Sequence, residues 1–230
     1  MEIRFIGHAT VELTDGDTNV LIDPFLAPNN PSATVSAEDV EPTHVLVTHG
    51  HADHTADLLP VLKRTGAHLL SIVEISRWHE AKHGHEDRTE INIGGTARFD
   101  WGWVKMVQAF HTNTIEGDDG IMVGPPTGLV VNIGGKTVYH LGDTGLFGDL
   151  KLIAESTPVD VALIPIGGHY TMDRHDAVTA AKLIGADVVI PIHYDTFPPV
   201  ETDAEAFKAD VESQTSSNVV ILEPGETFSP

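Results

Sequence analysis

The segment Val45-Leu-Val-Thr-His49-Gly-His51-Ala-Asp53-His54 places three histidines and one aspartate within six residues, directly after a short apolar run. A strand is expected to end here, and a helix to begin beyond it. Burying such polar side chains without partners would cost about 1–3 kcal/mol each, so we interpret the segment as a metal-binding turn. Its spacing lets His49 and His51 converge on one ion while Asp53 and His54 turn towards another. Imidazole and carboxylate donors suit Zn, Mn or Fe.

Three later apolar runs also end in a residue that can bind a metal. His111 follows the run 104–110, Asp143 follows the run 138–142, and His193 follows the run 188–192. Ligands in layered α/β folds gather beyond the carboxyl ends of strands. Each residue also has an ordinary interpretation: His111 as a loop residue, Asp143 as a helix cap and His193 as a hydrogen-bonded core residue. Because the metal-binding turn is also present, we interpret all three residues as metal ligands.

The composition excludes several classes of protein. The chain has 34 acidic and 13 basic residues, 14 histidines and no cysteine, which gives a formal charge of −21. The absence of cysteine excludes disulfide scaffolds, thiol nucleophiles and cysteine-ligated zinc sites. The charge disfavours non-specific nucleic-acid binding and association with anionic membranes. Because the chain opens on a strand-like segment and no run approaches the roughly 18 apolar residues of a membrane helix, we expect a soluble, cytoplasmic protein.

Strand-length runs rich in valine and isoleucine alternate with helical patterns along the chain, which predicts an α/β fold with an antiparallel component near the N-terminus. The predicted helices cover residues 56–65, 73–83, 146–155, 176–184 and 203–213. The sequence Gly134-Gly135-Lys136 predicts a hairpin turn between two strands. Residues 27–42 and 116–126 are long polar loops, and loops of this length are expected to lie near a functional site.

The chain resembles a known family, the metallo-β-lactamase superfamily. The H-x-H-x-D-H pattern is followed by several blocks similar to those of its compact branch of metal-dependent hydrolases, which includes an ascorbate-6-phosphate lactonase-like group. These blocks are Gly7-His-Ala-Thr10, Gln108-Ala-Phe-His-Thr-Asn-Thr114, Gly142-Asp-Thr-Gly-Leu-Phe147, Pro165-Ile-Gly-Gly-His-Tyr170 and Pro191-Ile-His-Tyr194. The resemblance implies a four-layer αββα sandwich formed by a single domain over residues 1–230. It also allows a homo-oligomer.

The resemblance implies a dinuclear metal site with a hydroxide between two divalent ions as the nucleophile. The ions lower the pKa of bound water towards 7. Zn is the expected metal, with Mn, Fe and Ni as alternatives. Asp53 would also orient the hydroxide or relay a proton. The implied ligands are His49, His51 and His111 for the first ion, Asp53, His54 and His193 for the second, and Asp143 as the bridge.

Four further residues are candidates for supporting roles. Asp23 resembles the early aspartate of the family, which hydrogen-bonds the metal-binding turn, although it could be a simple turn residue before proline. His8 and His169 each follow an apolar run and glycine, so we expect them to line the substrate pocket. His169 would contact the scissile group or act as a general acid. A structural hydrogen bond is the alternative for both, and Tyr194 is a further pocket candidate.

The segment containing His79, His83 and His85 is interpreted as a solvated helix surface. Although His79 and His83 share one helical face at i and i+4, a spacing that can bind a metal, their neighbours are charged. Glu80 and Lys82 therefore favour the surface interpretation.

The function expected from these patterns is hydrolysis of a small-molecule ester, lactone or phosphoester. A phosphodiesterase or RNA-processing nuclease of the same superfamily is one alternative, but the acidic charge makes a nucleic-acid partner unlikely. A metal-binding sensor without turnover is the other alternative, because ligands alone do not guarantee substrate access. No nucleophile elbow or phosphate-binding loop is present in the sequence.

Overall fold

The computed structural model describes residues 1–115 and 121–230. The first five residues of the predicted loop 116–126 therefore lie outside the described residues. Sixteen strands are present in the described part: β1 (Glu2–Gly7), β2 (Thr10–Asp15), β3 (Thr18–Ile22), β4 (His44–Leu46), β5 (His68–Ile72), β6 (Arg88–Ile91), β7 (Thr96–Phe99), β8 (Gly102–Gln108), β9 (Thr114–Ile115), β10 (Ile121–Met122), β11 (Thr127–Ile133), β12 (Lys136–His140), β13 (Val161–Pro165), β14 (Val188–Ile192), β15 (Asn218–Val219) and β16 (Thr227–Phe228). The helices are α1 (Ala52–Thr55), α2 (Leu58–Thr65), α3 (Val73–His83), α4 (Leu150–Ser156), α5 (Arg174–Ile184) and α6 (Ala204–Gln214).

The strands form two seven-stranded mixed sheets and one short ribbon of β9 and β10. The order of the first sheet is β16-β1-β2-β3-β4-β5-β6. Its strands are antiparallel from β16 to β3 and parallel from β3 to β6. The order of the second sheet is β15-β14-β13-β12-β11-β8-β7, antiparallel from β7 to β12 and parallel from β12 to β15.

The alternation of side chains along the strands explains how the layers stack. In β11, Leu129 and Val131 point into the core shared by both sheets, whereas Val130 packs on the other side with residues of α5 and α6. Helices α2 and α3 bury Leu58 and Ile75 against the first sheet. The predicted αββα arrangement is confirmed.

The predicted helix boundaries are confirmed in part. The 73–83 prediction matches α3, and Gly66 ends α2 in a left-handed conformation, as expected. The 56–65 prediction corresponds to α2, which begins at Leu58, and the short helix α1 (Ala52–Thr55) precedes it. Asp57 lies between the two helices and accepts hydrogen bonds from the amide of Leu26 and the side chain of Asn29. Helix α4 begins at Leu150 rather than at residue 146. The predicted hairpin joins β11 and β12, with Ile133 paired to Lys136.

The carboxyl ends of several strands meet at one edge of the sandwich. Strands β3 and β4 of the first sheet lead into residues 23 and 48–54, whereas β8, β12 and β14 of the second sheet lead into residues 111, 143 and 193. This convergence brings together side chains that are far apart in the sequence. No helix formed by the described residues combines the length with the apolar composition that a bilayer-spanning segment requires.

Candidate metal centre

Asp23 lies at the base of the metal-binding turn, where β3 ends. It adopts a left-handed backbone conformation (φ 51°), which directs its buried carboxylate towards the turn. The carboxylate accepts hydrogen bonds from the amide of Thr48 at 2.7 Å, from the Thr48 hydroxyl at 2.6 Å and from His54 Nδ1 at 2.8 Å. This is the contact with the metal-binding turn that the family resemblance implied for Asp23.

These hydrogen bonds determine which ring nitrogen of His49 and His54 faces the site. Because the single proton of the Thr48 hydroxyl goes to Asp23, its oxygen accepts from His49 Nδ1 at 3.0 Å. His54 likewise donates from Nδ1 to Asp23. Both histidines therefore present the lone pair of Nε2, the form that binds a metal ion.

The first group of donors consists of His49, His51 and His111, whose ligand atoms all lie within 4.8 Å of one another. His51 Nδ1 is 3.0 Å from His49 Nε2 and 3.2 Å from His111 Nε2. One proton on His51 Nδ1 can serve only one of these two nitrogens, whereas a cation between the rings can be bound by all three. The structure thus brings together the three residues that the family resemblance implies for the first ion.

The second group contains Asp53, His54 and His193, and it also contains His8. Their ligand atoms again lie within 4.8 Å of one another. The Asp53 carboxylate oxygen Oδ2 is 3.1 Å from His8 Nε2 and 3.7 Å from His193 Nε2. His8 Nδ1 is hydrogen-bonded to the Thr196 hydroxyl at 2.8 Å. His8 is thus closer to the donor atoms than a residue of an outer pocket wall would be.

Asp143 lies between the two groups. Its Oδ2 is 3.1 Å from His193 Nε2 and 3.6 Å from His111 Nε2, and its Oδ1 is 3.3 Å from His54 Nε2. The backbone that carries Asp143 is held by His140, which accepts from the Gly142 amide at 3.0 Å and bonds the Ala9 carbonyl oxygen at 2.8 Å. The carboxylate therefore faces donors of both groups, as a bridging ligand must.

Several buried atoms in this centre have no hydrogen-bond partner among the described residues: His54 Nε2, Asp143 Oδ1 and both ring nitrogens of His193. Unpaired polar atoms at full burial are costly, and they cluster here between carboxylates and imidazoles. Such a donor set, with no thiolate, fits divalent metal ions. The residues present are therefore suited to the metal that the fold family implies.

The charges of the centre shift the pKa values of its own donors. Burial lowers the pKa of His193, but the Asp143 carboxylate outweighs it and raises the pKa to about 9. Burial acts in the same sense on His54, where Asp143 and Asp23 together raise the pKa well above its usual value. Burial lowers the pKa of His8 to about 4. His54 and His193, whose pKa values are raised, must therefore release their protons when a metal binds.

A cavity of about 710 Å³ opens directly onto both donor groups. Its wall includes His8, Asp53 and Asp143 together with Phe25 and Phe197. A small molecule that enters it would meet the donors of both groups and an apolar surface beside them.

Two predicted pocket residues are not among the described residues of the cavity wall. His169 is exposed and packs edge-on against the ring of Tyr170 at 4.5 Å, and it is Tyr170 that lines the cavity. Tyr194 is half-buried against the core under α5 and α6, and burial raises its pKa to about 12. The pocket roles of His169 and Tyr194 stay predictions.

The surface interpretation of His79 is wrong. Helix α3 turns Ile75, Ser76 and His79 towards the first sheet, so His79 is only 4% exposed. Of the charged neighbours that suggested a solvated face, Lys82 is exposed and Glu80 is half-buried. His83 and His85 are half-buried.

Asn113 is a structural residue of the centre that the sequence did not indicate separately. Its Oδ1 accepts from the Gly50 amide at 2.7 Å, and its Nδ2 donates to the carbonyl oxygens of Val123 and Pro125. A side chain at Gly50 would place Cβ 2.8 Å from Ile115 Cγ1, so glycine is required for this close approach. Asn113 lies in one of the blocks that resemble the family, and this was the only signal available.

The chain matches known proteins over nearly its whole length. Residues 2–193 match the family described as the β-lactamase superfamily domain. A UPF0173 metal-dependent hydrolase of Staphylococcus aureus is 43% identical over 230 residues, which cover 99% of each chain. The solved structure of a novel metallo hydrolase from the archaeon Ignicoccus hospitalis is 38% identical, with a TM-score of 0.89 over 99% of this chain and 98% of that chain. A diiron β-hydroxylase from Streptomyces venezuelae shares the fold at 17% identity, with a TM-score of 0.75 over 99% of this chain and 53% of that chain.

Proposed function

The chain belongs to the β-lactamase superfamily and is a metal-dependent hydrolase, and on that premise we propose that it hydrolyses a small-molecule ester, lactone or phosphoester at a centre of two metal ions. The position of Asp143 carries the proposal. Its two carboxylate oxygens face donors of both groups, at 3.1 to 3.6 Å from His193, His54 and His111. A site for a single metal ion would not require a second group of donors beside the first.

The assignment of ligands follows the two groups. His49, His51 and His111 would hold one ion, Asp53, His54 and His193 would hold the other, and Asp143 would contact both. Two divalent ions bound there, with Zn expected and Mn, Fe and Ni as alternatives, would supply Lewis acidity and a water molecule with a pKa near 7.

Side chains of the protein orient the metal ligands and the attacking water. Asp23 and Thr48 hold the rings of His54 and His49 in the metal-binding form. His54, His193 and His8 keep the pKa of Asp53 well below its usual value although burial opposes this shift. Asp53 is therefore ionised, and it can accept a hydrogen bond from the attacking water and orient it towards the substrate.

A small-molecule substrate is favoured over a nucleic acid. A chain with a formal charge of −21 repels a polyanion, and phosphate backbones are normally bound by lysine and arginine. The cavity of about 710 Å³ is of the size that binds a small molecule.

Metal analysis combined with a substrate panel tests the proposal. The protein is loaded with Zn²⁺ or Mn²⁺, its bound metal is measured, and carboxylic esters, lactones, 4-nitrophenyl phosphate and bis(4-nitrophenyl) phosphate are assayed. Turnover of an ester, lactone or phosphomonoester with two equivalents of metal supports it. Turnover of the phosphodiester alone would favour the phosphodiesterase alternative. Two bound ions without any turnover would favour a sensor.

A further inference from the structure

Phe25 and Phe197 form an aromatic wall beside the second donor group. Their ring centroids are 6.3 Å apart, and both rings pack edge-on against the ring of His8, at 5.7 and 5.6 Å. His8 Nε2 in turn lies 3.1 Å from the Asp53 carboxylate. The ring of His8 therefore lies between the aromatic wall and the Asp53 carboxylate.

Both phenylalanines are held firmly by the backbone. The amide of Phe25 donates to the Thr10 hydroxyl at 3.2 Å, and its carbonyl oxygen accepts from the side chain of Asn30 at 3.0 Å. Phe197 begins a single 3₁₀ turn, in which its carbonyl oxygen accepts from the Val200 amide at 2.9 Å. The aromatic wall is thus a preformed surface, which binds a complementary group with little loss of side-chain entropy.

Among the described residues, the wall of the cavity contains no lysine or arginine. Among the described residues that line it, the charged side chains besides the histidines are the carboxylates Asp53 and Asp143. Residues 116–120, which lie outside the described part, are Glu-Gly-Asp-Asp-Gly and contain no lysine or arginine either. A phosphate or carboxylate on a substrate would find no cation here other than the metal ions that bind the reacting group.

We propose that the substrate is an uncharged carboxylic ester or lactone whose acyl part carries an apolar, aromatic group that packs on the aromatic wall. The inference rests on the proposed function and narrows its substrate class. Asp53, Asp143, Phe25 and Phe197 line the same cavity, so a substrate whose carbonyl lies at the two carboxylates would place the attached group beside the aromatic wall. Aromatic contacts favour a ring at this position, whereas a charge there would be desolvated without a partner.

The reaction balances as simple hydrolysis. A water oxygen forms a new bond to the carbonyl carbon, and the bond from that carbon to the alkoxy oxygen breaks. The alkoxy oxygen takes up one proton and leaves as the alcohol, and the acyl part leaves as a carboxylate with release of a proton. No co-reactant other than water is needed.

Three esters of the same alcohol test the proposal: methyl phenylacetate, methyl acetate and methyl 4-carboxyphenylacetate. With the metal-loaded protein, we expect kcat/KM for methyl phenylacetate to exceed the values for the other two about tenfold or more. Equal values for all three, or a preference for the carboxylate-bearing ester, would overturn the proposal.

A substitution in the aromatic wall links the preference to its structural cause. Phe197→Ala should lower the ratio of kcat/KM for methyl phenylacetate to kcat/KM for methyl acetate about tenfold. Leu152→Ala is the control, because Leu152 is 59% exposed on α4 and does not line the cavity. An unchanged phenylacetate preference in Phe197→Ala would contradict the assignment of the aromatic wall.

Two outcomes separate the failure of this inference from the failure of the proposed function. If 4-nitrophenyl phosphate, a phosphomonoester, is hydrolysed and none of the three methyl esters is, this inference is wrong while the proposed function stands. If no substrate is turned over, benzyl methyl ketone provides a readout independent of catalysis. Saturation-transfer NMR should detect its phenyl protons on the wild type and not on Phe197→Ala, and a signal that is absent or equal in both would overturn the inference.

Discussion

His54 donates a hydrogen bond from Nδ1 to the Asp23 carboxylate at 2.8 Å, and both side chains are completely buried. The same carboxylate holds the Thr48 hydroxyl, which accepts from His49. One aspartate therefore orients a histidine of each donor group, and it does so from outside the set of ligands. Partners of this kind fix the tautomer and the ring orientation of a ligand.

Asp23→Asn is expected to weaken metal binding by about 10- to 100-fold, because an amide cannot accept hydrogen bonds at both of its terminal atoms. The measurement is competition with a chromophoric chelator for Zn²⁺ or Mn²⁺. Asp39→Asn is the matched control, since Asp39 is exposed and its carboxylate accepts hydrogen bonds from Ser36, not from a donor of the centre. Equal affinities of the two variants would contradict the role of Asp23.

His111→Ala tests whether the centre holds two ions. Removing this imidazole takes one of three donors from the first group and leaves Asp53, His54 and His193 in place. We expect about two equivalents of metal in the wild type and about one in the variant after desalting, measured by plasma mass spectrometry. One equivalent in the wild type, or two in the variant, would contradict the dinuclear centre.

Asn113→Ala should destabilise the protein by about 1–3 kcal/mol, because the Gly50 amide and two carbonyl oxygens lose their partner in a buried place. Urea unfolding measures the change. The exposed Asn218→Ala provides the comparison and should stay within about 0.5 kcal/mol of the wild type. A wild-type stability for Asn113→Ala would show that water replaces these hydrogen bonds.

His79 should make the protein less stable in acid. Burial, followed by the charges of His83 and His85, lowers its pKa from the usual 6.5 to about 4. Between these two values the unfolded chain binds a proton at His79 and the folded chain does not. The free energy of unfolding should therefore fall by about 2 kcal/mol between pH 7 and pH 5 because of this residue.

The effect of His79 is measured by urea unfolding at both pH values in His79→Gln, where the loss of stability in acid should be smaller than in the wild type by that amount. His175→Gln is the control, because His175 is exposed at the start of α5. A wild-type acid sensitivity of His79→Gln would exclude His79 as the cause.

His8→Ala should reduce kcat/KM more strongly than His169→Ala. His8 lines the cavity and contacts Asp53 at 3.1 Å, whereas His169 is exposed beside Tyr170. Because His8 contacts the Asp53 carboxylate, its removal is expected to lower kcat/KM about tenfold or more. Kinetics and metal content are compared in both variants, and a larger effect of His169→Ala would instead support its predicted role as a general acid.

Much of the centre could be predicted because ligand chemistry is a local property of the sequence. The spacing of His49, His51, Asp53 and His54 is legible without a structure, and the apolar runs before His111, Asp143 and His193 predict strand ends. Strand ends gather at one edge of a sheet, so the convergence of these residues followed from general rules of α/β folds. The absence of cysteine also excluded thiolate sites, and the acidic charge made nucleic acid an unfavourable partner.

The sequence by itself determined the donor types, an α/β fold and the approximate location of the centre, whereas the αββα layering was implied by the family resemblance. Only the tertiary structure decided that Phe25 and Phe197 stand together at His8, that Asn113 holds Gly50 and that His79 is buried. The physical reason is that periodicity reports a side chain's direction relative to its own strand or helix. Loops have no period, and the side chains they carry acquire partners only when distant segments fold against one another.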